Sequence, residues 1–378
     1  MPRMRIDELP TPCAVVDHER LERNAARMGE RMTRLGVRLR PHVKTHKCAE
    51  IARLSVRGHF GGVTVSTLAE ARGLAEAGFD DLTWAVPIAL DRIDDALLLG
   101  RRVRSFALLV DHPDAARALS AKARGGEQRV PVFLKVDCGY HRAGVDPEDP
   151  ASVAFARELA SLPGLEFRGL LTHAGHAYHA TRRDELAAFA RAERDVPVRF
   201  AERLCAAGVR VDEVSVGSTP TMSVAEDLAG VTEARPGNYL FFDAFQASIG
   251  SCDLEDAAFW VVATVIGHAR AQNALLVNAG ALSLSKDPGA THVDARCGFG
   301  RVASANRSRA FPSLRVTALS QEHGQIGSET PIDFDALPIG AKLAIVPNHS
   351  CLSAALFDRY HVVRDGRVAE VWRALRGW

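Results

Sequence analysis

The feature that most constrains this chain is the alternation of short apolar runs with helix-like stretches over its first two thirds. Apolar runs begin near Val63, Leu82, Phe106, Val130 and Leu165, and each is followed by apolar residues spaced for a helix. About eight such units over roughly 230 residues match a (β/α)8 barrel. The runs are apolar almost throughout, as expected for parallel strands that are covered on both faces.

After about residue 245 the pattern changes to strand-length runs without intervening helices. These runs lie at 259–269, 273–278, 314–320, 342–347 and 360–363. Asp365-Gly366 then links 360–363 to 368–372, which predicts a β-hairpin. We therefore expect an α/β fold with a TIM-type barrel at residues 13–245 that opens on a strand ending at Asp17. Residues 1–12 and 246–378 would form a mostly-β domain.

Composition excludes several classes of protein. The chain has 378 residues, of which 47% are hydrophobic and 25% charged, with a net charge of +1. This balance gives no broad attraction to nucleic acid or membrane, and the longest apolar runs are too short to span a bilayer. The charged start has no apolar stretch behind it, so we expect no signal peptide. The seven cysteines show no CxxC spacing, which favours reduced thiols in the cytoplasm.

A basic stretch, Pro41-His-Val-Lys44-Thr-His-Lys47, separates a short predicted strand at 37–40 from a predicted helix at 48–54. A lysine at such a turn points into the crevice where α/β folds bind ligands. Neighbouring positive charges lower a lysine pKa, and a neutral amine can bond covalently to an aldehyde such as pyridoxal phosphate (PLP). From these residues alone, a loop that binds an anion or meets solvent is the alternative.

Other polar groups follow later strands. Arg142, which we expect to be the most deeply buried arginine of the barrel, would orient a phenolate or carboxylate, or else form a salt bridge with Asp137. Gly217-Ser218-Thr219 and Gly237-Asn238-Tyr239 follow the last two barrel strands, where barrels often bind phosphate. Either loop could instead be an ordinary turn.

Two histidine-containing segments complete the candidate set. Residues 173–179 contain three histidines and a tyrosine at a strand end, which favours a site that moves protons. Far along the chain, His349 and Cys351 combine an imidazole with a thiolate, a pair that suits zinc better than magnesium or calcium. Two protein ligands would leave positions for water or substrate on a Lewis acid. A buried cysteine beside a structural histidine is the alternative.

These motifs together resemble the D-threonine aldolase and D-serine dehydratase family, a branch of the fold-type III PLP enzymes related to alanine racemase. The resemblance covers essentially the whole chain in the right order. It is carried by Arg40–Lys47, Asp137–Val145, Arg235–Tyr239, Asn278–Asp287, Ser320–Gly324 and Pro347–Cys351.

The resemblance implies a role for each candidate. Lys44 would hold PLP covalently, and Arg142 would face its phenolic oxygen. His173 occupies the place where the family often has a tyrosine beside the pyridine nitrogen, and His179 aligns with a proposed base of the aldolases. The remaining cofactor contacts would come from Ser218, Thr219, Gly237 and Asn238, with Tyr178 and Tyr239 beside them. The resemblance also implies metal binding at His349 and Cys351 and a head-to-tail homodimer.

The implied activity is that of a PLP- and metal-dependent lyase acting on small D-β-hydroxy amino acids. The His-x-Cys pair resembles zinc-dependent dehydratases, which release ammonia and a 2-oxo acid, whereas His-x-Asp is familiar from manganese-dependent aldolases. His179 keeps D-threonine aldolase open, with manganese as the alternative metal. An amino acid racemase would need a second base, for which Tyr360 is the candidate. A PLP carrier would not need the β domain, and a zinc-binding interaction module would leave Lys44 and Arg142 unexplained.

Overall fold

The computed structural model describes residues 4–126 and 129–378, and the chain divides into two compact units. We call the first the barrel unit, and it comprises Arg27–Lys44, Ile51–Gly237 and Leu375–Trp378. We call the second the sheet unit, and it comprises Met1–Ala26, Thr45–Glu50 and Asn238–Ala374. Within the described ranges, no helix has both the length and the apolar character needed to cross a bilayer.

The strands, in chain order, are β1 Cys13–Asp17, β2 Arg38–Leu39, β3 Val63–Val65, β4 Asp81–Pro87, β5 Ser105–Val110, β6 Val130–Lys135, β7 Leu165–Leu171, β8 Glu213–Val216, β9 Glu233–Ala234, β10 Phe259–Ala269, β11 Ala274–Val277, β12 Gly300–Ser304, β13 Ala310–Leu319, β14 Gly324–Ser328, β15 Lys342–Pro347, β16 Arg359–Arg364 and β17 Arg367–Arg373. The helices are α1 His18–Arg34, α2 Ala49–Ser55, α3 Leu68–Glu76, α4 Ile93–Gly100, α5 Pro113–Ala123, α6 Pro150–Ser161, α7 Arg183–Ala206, α8 Thr219–Val224, α9 Ala244–Ser248, α10 Ala281–Leu284 and α11 Ser350–Ala354.

The barrel unit contains an eight-stranded parallel sheet in the order β2-β9-β8-β7-β6-β5-β4-β3. A parallel bridge between His42 and Thr64 also joins the chain after β2 to strand β3, so the sheet is TIM-like. Strand β5 is buried at every position, because helices cover one face and other strands' side chains cover the other. Together with the antiparallel sheet of the other unit, this sheet confirms the predicted fold class.

Local sequence explains where several barrel helices begin. The hydroxyl of Thr67 accepts a hydrogen bond from the backbone N–H of Glu70 and caps α3. Helices α5 and α6 each have a proline in the first turn, where its missing N–H costs nothing.

The sheet unit contains a nine-stranded sheet in the order β11-β14-β13-β12-β15-β10-β1-β16-β17. All but one of its strand pairs are antiparallel, the exception being β1 with β16. The predicted hairpin at Asp365-Gly366 is confirmed, since β16 and β17 pair on either side of it. A buried cluster that includes Trp260, Val262 and Val346 lies against this sheet.

Strand β1 departs from the sequence-based expectation. The sequence analysis assigns Cys13–Asp17 to the barrel, but β1 pairs with β10, with Cys13 opposite Val262, and so lies in the sheet unit. A fully apolar run is equally suited to a barrel strand and to the middle of another sheet, because periodicity does not identify the partner strand. The eight barrel strands therefore begin with β2.

Candidate active site

Lys44 follows strand β2 in the short 3-10 turn Val43–Thr45. Its side chain is exposed, and its backbone N–H donates a hydrogen bond to Nδ1 of His42 at 3.4 Å. In a barrel of parallel strands, the loops that carry chemistry meet at the carboxyl ends of the strands. Lys44 therefore lies on the face that the sequence predicted for it.

Two histidines near Lys44 are held in the neutral form. Burial, and then the charges of Lys44 and Arg235, lower the pKa of His42 well below its ordinary value. His173 is the second residue after β7, and burial followed by Lys44 and Lys135 lowers its pKa in the same way. Charges shift a pKa strongly only at short range. The charge of Lys44 therefore acts on both imidazoles, and His42 also accepts a hydrogen bond from the Lys44 backbone.

Two buried cations that the sequence analysis did not single out also belong to this face. Lys135 ends β6 and is 6% exposed, and burial together with Arg235 lowers its pKa to about 7. Arg235 follows β9 and is 4% exposed, and burial lowers its pKa to about 10. Its guanidinium donates to Ser215 Oγ at 2.6 Å and to the carbonyl of Thr172. The available signal for Lys135 was a charged residue at the end of an apolar run, and for Arg235 it was the first position of the stretch Arg235–Tyr239.

The charges on this face fit an anionic cofactor. Lys44, Lys135, Arg142 and Arg235 all act on the pKa of His173, whereas the buried carboxylates nearest to these cations are Glu193 and Glu233. Buried positive charge is costly unless it is offset by a nearby anion. PLP carries a phosphate and a phenolic oxygen as well as its aldehyde, so the chemistry of this residue set suits it.

The prediction that Arg142 is deeply buried is wrong. Its side chain is exposed. Its guanidinium lies over the ring of Tyr140, 4.9 Å from the centroid. The carboxylate of Asp137 instead pairs with His141 at 2.8 Å and accepts hydrogen bonds from the backbone of the same loop. This turn directs Arg142 away from the interior, although its charge still lowers the pKa of Lys135.

The segment with three histidines forms a 3-10 helix at Gly175–His179. Tyr178 is half-buried, and His179 is exposed at the end of the helix. His176, at 4.8 Å from Phe189 in an edge-on contact, has its pKa lowered by burial. The three histidines therefore have different surroundings, since His173 is half-buried near several cations and His179 is exposed to solvent.

The first candidate phosphate loop is tightly hydrogen-bonded. Gly217 has a φ of +110°, in the left-handed region that favours glycine. Ser218 caps α8, and its hydroxyl accepts from the backbone N–H of Thr221 at 3.3 Å. Ser218 and Thr219 are 3% and 2% exposed, so the loop presents backbone more than side chains. Ser218 is therefore placed to shape a phosphate loop.

The second candidate loop has two different parts. In the barrel unit, a Cβ added to Gly237 would lie 2.6 Å from the carbonyl oxygen of His42, so this approach requires glycine. In the sheet unit, the amide of Asn238 donates to Asp243 at 2.8 Å and to Ser350 at 2.9 Å. Tyr239 is fully buried, which raises the pKa of its phenol. The Asn238 amide is thus directed to Asp243 and Ser350, which leaves its backbone for any phosphate contact.

The sheet unit holds His349 and Cys351 at the start of α11. Nδ1 of His349 lies 3.0 Å from a carboxylate oxygen of Asp287, and Cys351 Sγ lies 3.2 Å from the hydroxyl of Thr45. Burial opposes protonation of His349, but Cys351 and the hydrogen bond to Asp287 outweigh it and raise the pKa of His349 well above its ordinary value. This negative environment attracts a cation.

The arrangement fits a metal with two protein ligands. Since Asp287 engages Nδ1, the other ring nitrogen of His349 is the one available for coordination, in the manner of carboxylate–histidine–zinc triads. In the ranges 4–126 and 129–378, no three or more His, Cys, Asp or Glu side chains are grouped to hold an ion. Water or substrate would complete the coordination, as the sequence analysis expected.

Two family models match the chain. The N-terminal domain of alanine racemase matches residues 16–244, and a serine dehydratase domain matches residues 258–363. The two models match consecutive parts of the chain.

Relatives with assigned activities match almost the whole chain. A D-threo-3-hydroxyaspartate dehydratase from Delftia sp. is 40% identical over 98% of both chains. A D-serine dehydratase from Dictyostelium discoideum is 35% identical over 99% of this chain and 98% of the relative. A D-threonine aldolase from Arthrobacter sp. is 30% identical over 98% of this chain and 93% of the relative.

Solved structures of D-threo-3-hydroxyaspartate dehydratases are similar to this chain over its whole length. The structure of the Delftia dehydratase has a TM-score of 0.95, with 39% identity and all of both chains covered. A cysteine-to-alanine variant of a D-threo-3-hydroxyaspartate dehydratase, solved in a metal-free form, also has a TM-score of 0.95, with 39% identity over 99% of this chain and all of the other. The chain therefore belongs to the D-threonine aldolase and D-serine dehydratase family of PLP-dependent lyases, in which an alanine racemase-like barrel precedes a serine dehydratase domain.

Proposed function

We propose that this protein is a PLP- and zinc-dependent dehydratase of D-β-hydroxy amino acids, with D-threo-3-hydroxyaspartate or D-serine as substrate. The products would be ammonia and a 2-oxo acid. Relatives with both of these dehydratase activities match this chain along its whole length.

One observation carries the proposal beyond family membership. Nδ1 of His349 lies 3.0 Å from a carboxylate oxygen of Asp287, so the other ring nitrogen is placed to coordinate a metal together with Cys351. Dehydration needs a base at the α-carbon and an electrophile at the β-hydroxyl. Lys44 would supply the base, and this pairing of imidazole with thiolate supports zinc as the electrophile.

PLP, when bound, supplies an electron sink for the negative charge that develops at the α-carbon. Lys44 would receive the α-proton at Nζ. His173, which its surroundings keep neutral, would contact the ring without adding a full positive charge. Lys135 and Arg235 would offset the negative charge of the cofactor, and the loops at Ser218–Thr219 and Gly237–Asn238 would hold its phosphate.

His349 and Cys351 would hold the zinc ion, with Asp287 orienting the imidazole. The ion supplies Lewis acidity for departure of the β-hydroxyl as hydroxide. A thiolate ligand favours zinc over magnesium and calcium. Manganese is the alternative, and it accompanies the aldolase proposal.

D-threonine aldolase is the second candidate, because His179 is exposed and could accept the proton of a substrate hydroxyl. Racemase activity is disfavoured. Its second base would be Tyr360, which is fully buried and donates its hydroxyl proton to the carbonyl of His46 at 2.7 Å.

Three further properties belong to this proposal. The seven cysteines have no CxxC spacing, which supports a reducing compartment such as the cytoplasm. The family resemblance supports a head-to-tail homodimer. Small D-amino acids would be its substrates, with neither nucleic acid nor membrane as a partner.

Product analysis of the protein loaded with PLP and zinc tests the proposal. D-serine, D-threonine and D-threo-3-hydroxyaspartate would be supplied, with the L-amino acids as controls. We expect ammonia and a 2-oxo acid in equal amounts. Glycine and an aldehyde instead would establish the aldolase and move attention to His179.

A further inference from the structure

A fully buried carboxylate on helix α7 has no part in the chemistry described so far. Glu193 is 0% exposed and lies near the middle of Arg183–Ala206, on the side that also buries Leu186 and Phe200. A carboxylate this deep in a protein is tolerated when hydrogen-bond donors satisfy it. The donors that satisfy Glu193 come from the loop after β7 and from the first turn of α8.

The first donor is the backbone N–H of Ala174, which lies 2.6 Å from Oε1 of Glu193. Ala174 directly follows His173, the neutral histidine near Lys44. A short hydrogen bond to a charged acceptor is stronger than one between neutral groups. Glu193 therefore fixes the chain one residue from the imidazole proposed to contact the cofactor ring.

The second donor is the hydroxyl of Thr221, which lies 2.5 Å from Oε2 of Glu193. An ionised carboxylate accepts hydrogen bonds and cannot donate them, so the hydroxyl proton of Thr221 points to Glu193. The lone pairs of Thr221 Oγ1 are then available to the backbone N–H of Ser218 at 3.1 Å. Glu193 thus sets the direction of hydrogen bonding in the capping box that shapes the loop at 217–219.

The charge of Glu193 also acts on this face of the barrel. It opposes the lowering of the pKa of both Lys135 and Arg235, so it is close enough to be a counter-charge for the two buried cations. The side chain of Glu193 thus contacts both the segment after His173 and the turn that begins at Ser218. Its negative charge also offsets the positive charges of Lys135 and Arg235, near which the cofactor would bind.

We infer that Glu193 is a positioning residue that holds the phosphate loop and the ring-contacting His173 in fixed register for PLP. This inference rests on the proposed PLP site. Glu193 itself would touch neither cofactor nor substrate. It would affect PLP binding indirectly, because its hydrogen bond to Thr221 positions the phosphate loop and its hydrogen bond to Ala174 positions His173.

Binding of PLP and of pyridoxal, which lacks the phosphate, separates this role from a general contribution to folding. Both would be titrated into the full-length apoprotein and followed by absorbance, with thermal unfolding measured in parallel. The variants are Glu193→Gln, Thr221→Val and Thr221→Ser, and the control is Glu202→Gln, an exposed glutamate on the same helix.

Glu193→Gln keeps the shape of the side chain but places an NH2 group against one of the two donors. An unsatisfied buried donor costs enough to predict a loss of PLP affinity on the order of tenfold. Pyridoxal affinity should fall much less, and the absorbance maximum of bound PLP should shift because the His173 loop is released. Thr221→Val should reproduce the affinity loss without the spectral shift, while Thr221→Ser and Glu202→Gln should match the unmodified protein.

Three results would contradict the positioning role of Glu193. The inference is wrong if the Glu193→Gln variant binds PLP as tightly as the unmodified protein. It is also wrong if the variant loses affinity for PLP and for pyridoxal by the same factor. Should Glu193→Gln fail to fold, a Thr221→Val variant with unchanged preference for PLP over pyridoxal would overturn it. If the unmodified protein itself does not bind PLP, the proposed function fails, and this inference fails with it.

Discussion

At the scale of single residues, the barrel face is organised by burial acting on charge. His42 and His173 are neutral because burial and neighbouring cations both disfavour a proton on the ring. Lys135 experiences the same two effects, and its pKa falls to about 7. The face therefore combines buried basic groups with Lys44, an exposed lysine that we propose reacts with the aldehyde of PLP.

Replacing Lys44 with alanine tests the proposed point of covalent attachment. We expect the visible absorbance of protein-bound PLP to disappear and turnover to fall by about 10²–10⁴-fold, the range for loss of a general base. Lys122→Ala, at an exposed lysine on α5, is the matched control and should retain both signals. A Lys44→Ala protein with the normal PLP spectrum would rule out this lysine as the attachment site.

Lys135 gives a prediction about stability and pH. Its pKa is about 7 in the folded protein and near 10.5 when unfolded, so between these values the unfolded state binds more protons. The cost of burying this lysine is therefore present below pH 7 and is relieved as pH rises toward 10.5. Lys135→Met removes that cost at every pH.

The measurement is the unfolding free energy of the apoprotein from denaturant titrations between pH 7.5 and 9.5. The stability advantage of Lys135→Met over the unmodified protein should shrink by roughly 1.4 kcal/mol for each pH unit of increase. Parallel pH profiles for the two proteins would mean that Lys135 titrates normally in the folded state.

At the scale of elements, strand ends and the loops after them place the candidate groups. Lys135 is the last residue of β6. Lys44 follows β2, His173 follows β7, and Arg235 follows β9. Because parallel strands bring their carboxyl ends to one face, residues far apart in sequence converge there. In the other unit, the end of β15 places His349 and Cys351 at the start of α11, where Asp287 meets the imidazole.

Gly237 tests the close approach of two of these loops. A Cβ at this position would lie 2.6 Å from the carbonyl oxygen of His42, a backbone atom that cannot move away without shifting its loop. Gly237→Ala should lower the unfolding free energy by about 1–3 kcal/mol, the usual range for overpacking, and should weaken PLP binding. Denaturant unfolding and absorbance titration measure the two effects.

Gly100, the last residue of α4, is the matched control. Its added Cβ would find its nearest neighbour, Phe106, at 4.0 Å, which leaves room for the methyl group. Gly100→Ala should leave PLP binding unchanged and hold or raise stability, because alanine is favoured over glycine in helices. Equal losses in both variants would show that Gly237 has no special steric role.

At the scale of the whole molecule, the candidate cofactor groups and the candidate metal ligands belong to different compact units. Lys44, His173 and Arg235 are in the barrel unit, whereas His349 and Cys351 are in the sheet unit. Binding of the cofactor and binding of the metal should therefore be separable in experiment.

Metal removal tests this separation. Dialysis against a chelator should abolish dehydration, a loss on the order of 10²-fold or more, because the β-hydroxyl loses its Lewis acid. The absorbance of bound PLP should persist, and added zinc should restore turnover. Full activity in protein shown by elemental analysis to lack zinc and manganese would remove His349 and Cys351 from the mechanism. Loss of PLP together with the metal would show that the two sites depend on each other.

Local sequence determined much of the molecule. Hydrophobic periodicity gave the class of the fold, most of the barrel strands and helices, and the hairpin of β16 and β17. Position after a strand was enough to propose Lys44 and His173 for the barrel face, and the pairing of imidazole with thiolate was enough to propose a metal at His349 and Cys351. These features depend on residues that are near one another in the chain, so a single sequence contains them.

Tertiary structure decided the features that depend on partners distant in sequence. β1 lies in the sheet unit because its backbone pairs with β10, and an apolar run does not specify its partner. Arg142 is exposed because Asp137 engages the loop before it. The clearest case is Glu193, an unremarkable residue of a long helix until the fold brings Ala174 and Thr221 to its two oxygens. A buried carboxylate must be satisfied by whichever donors the fold supplies, and no local pattern identifies them.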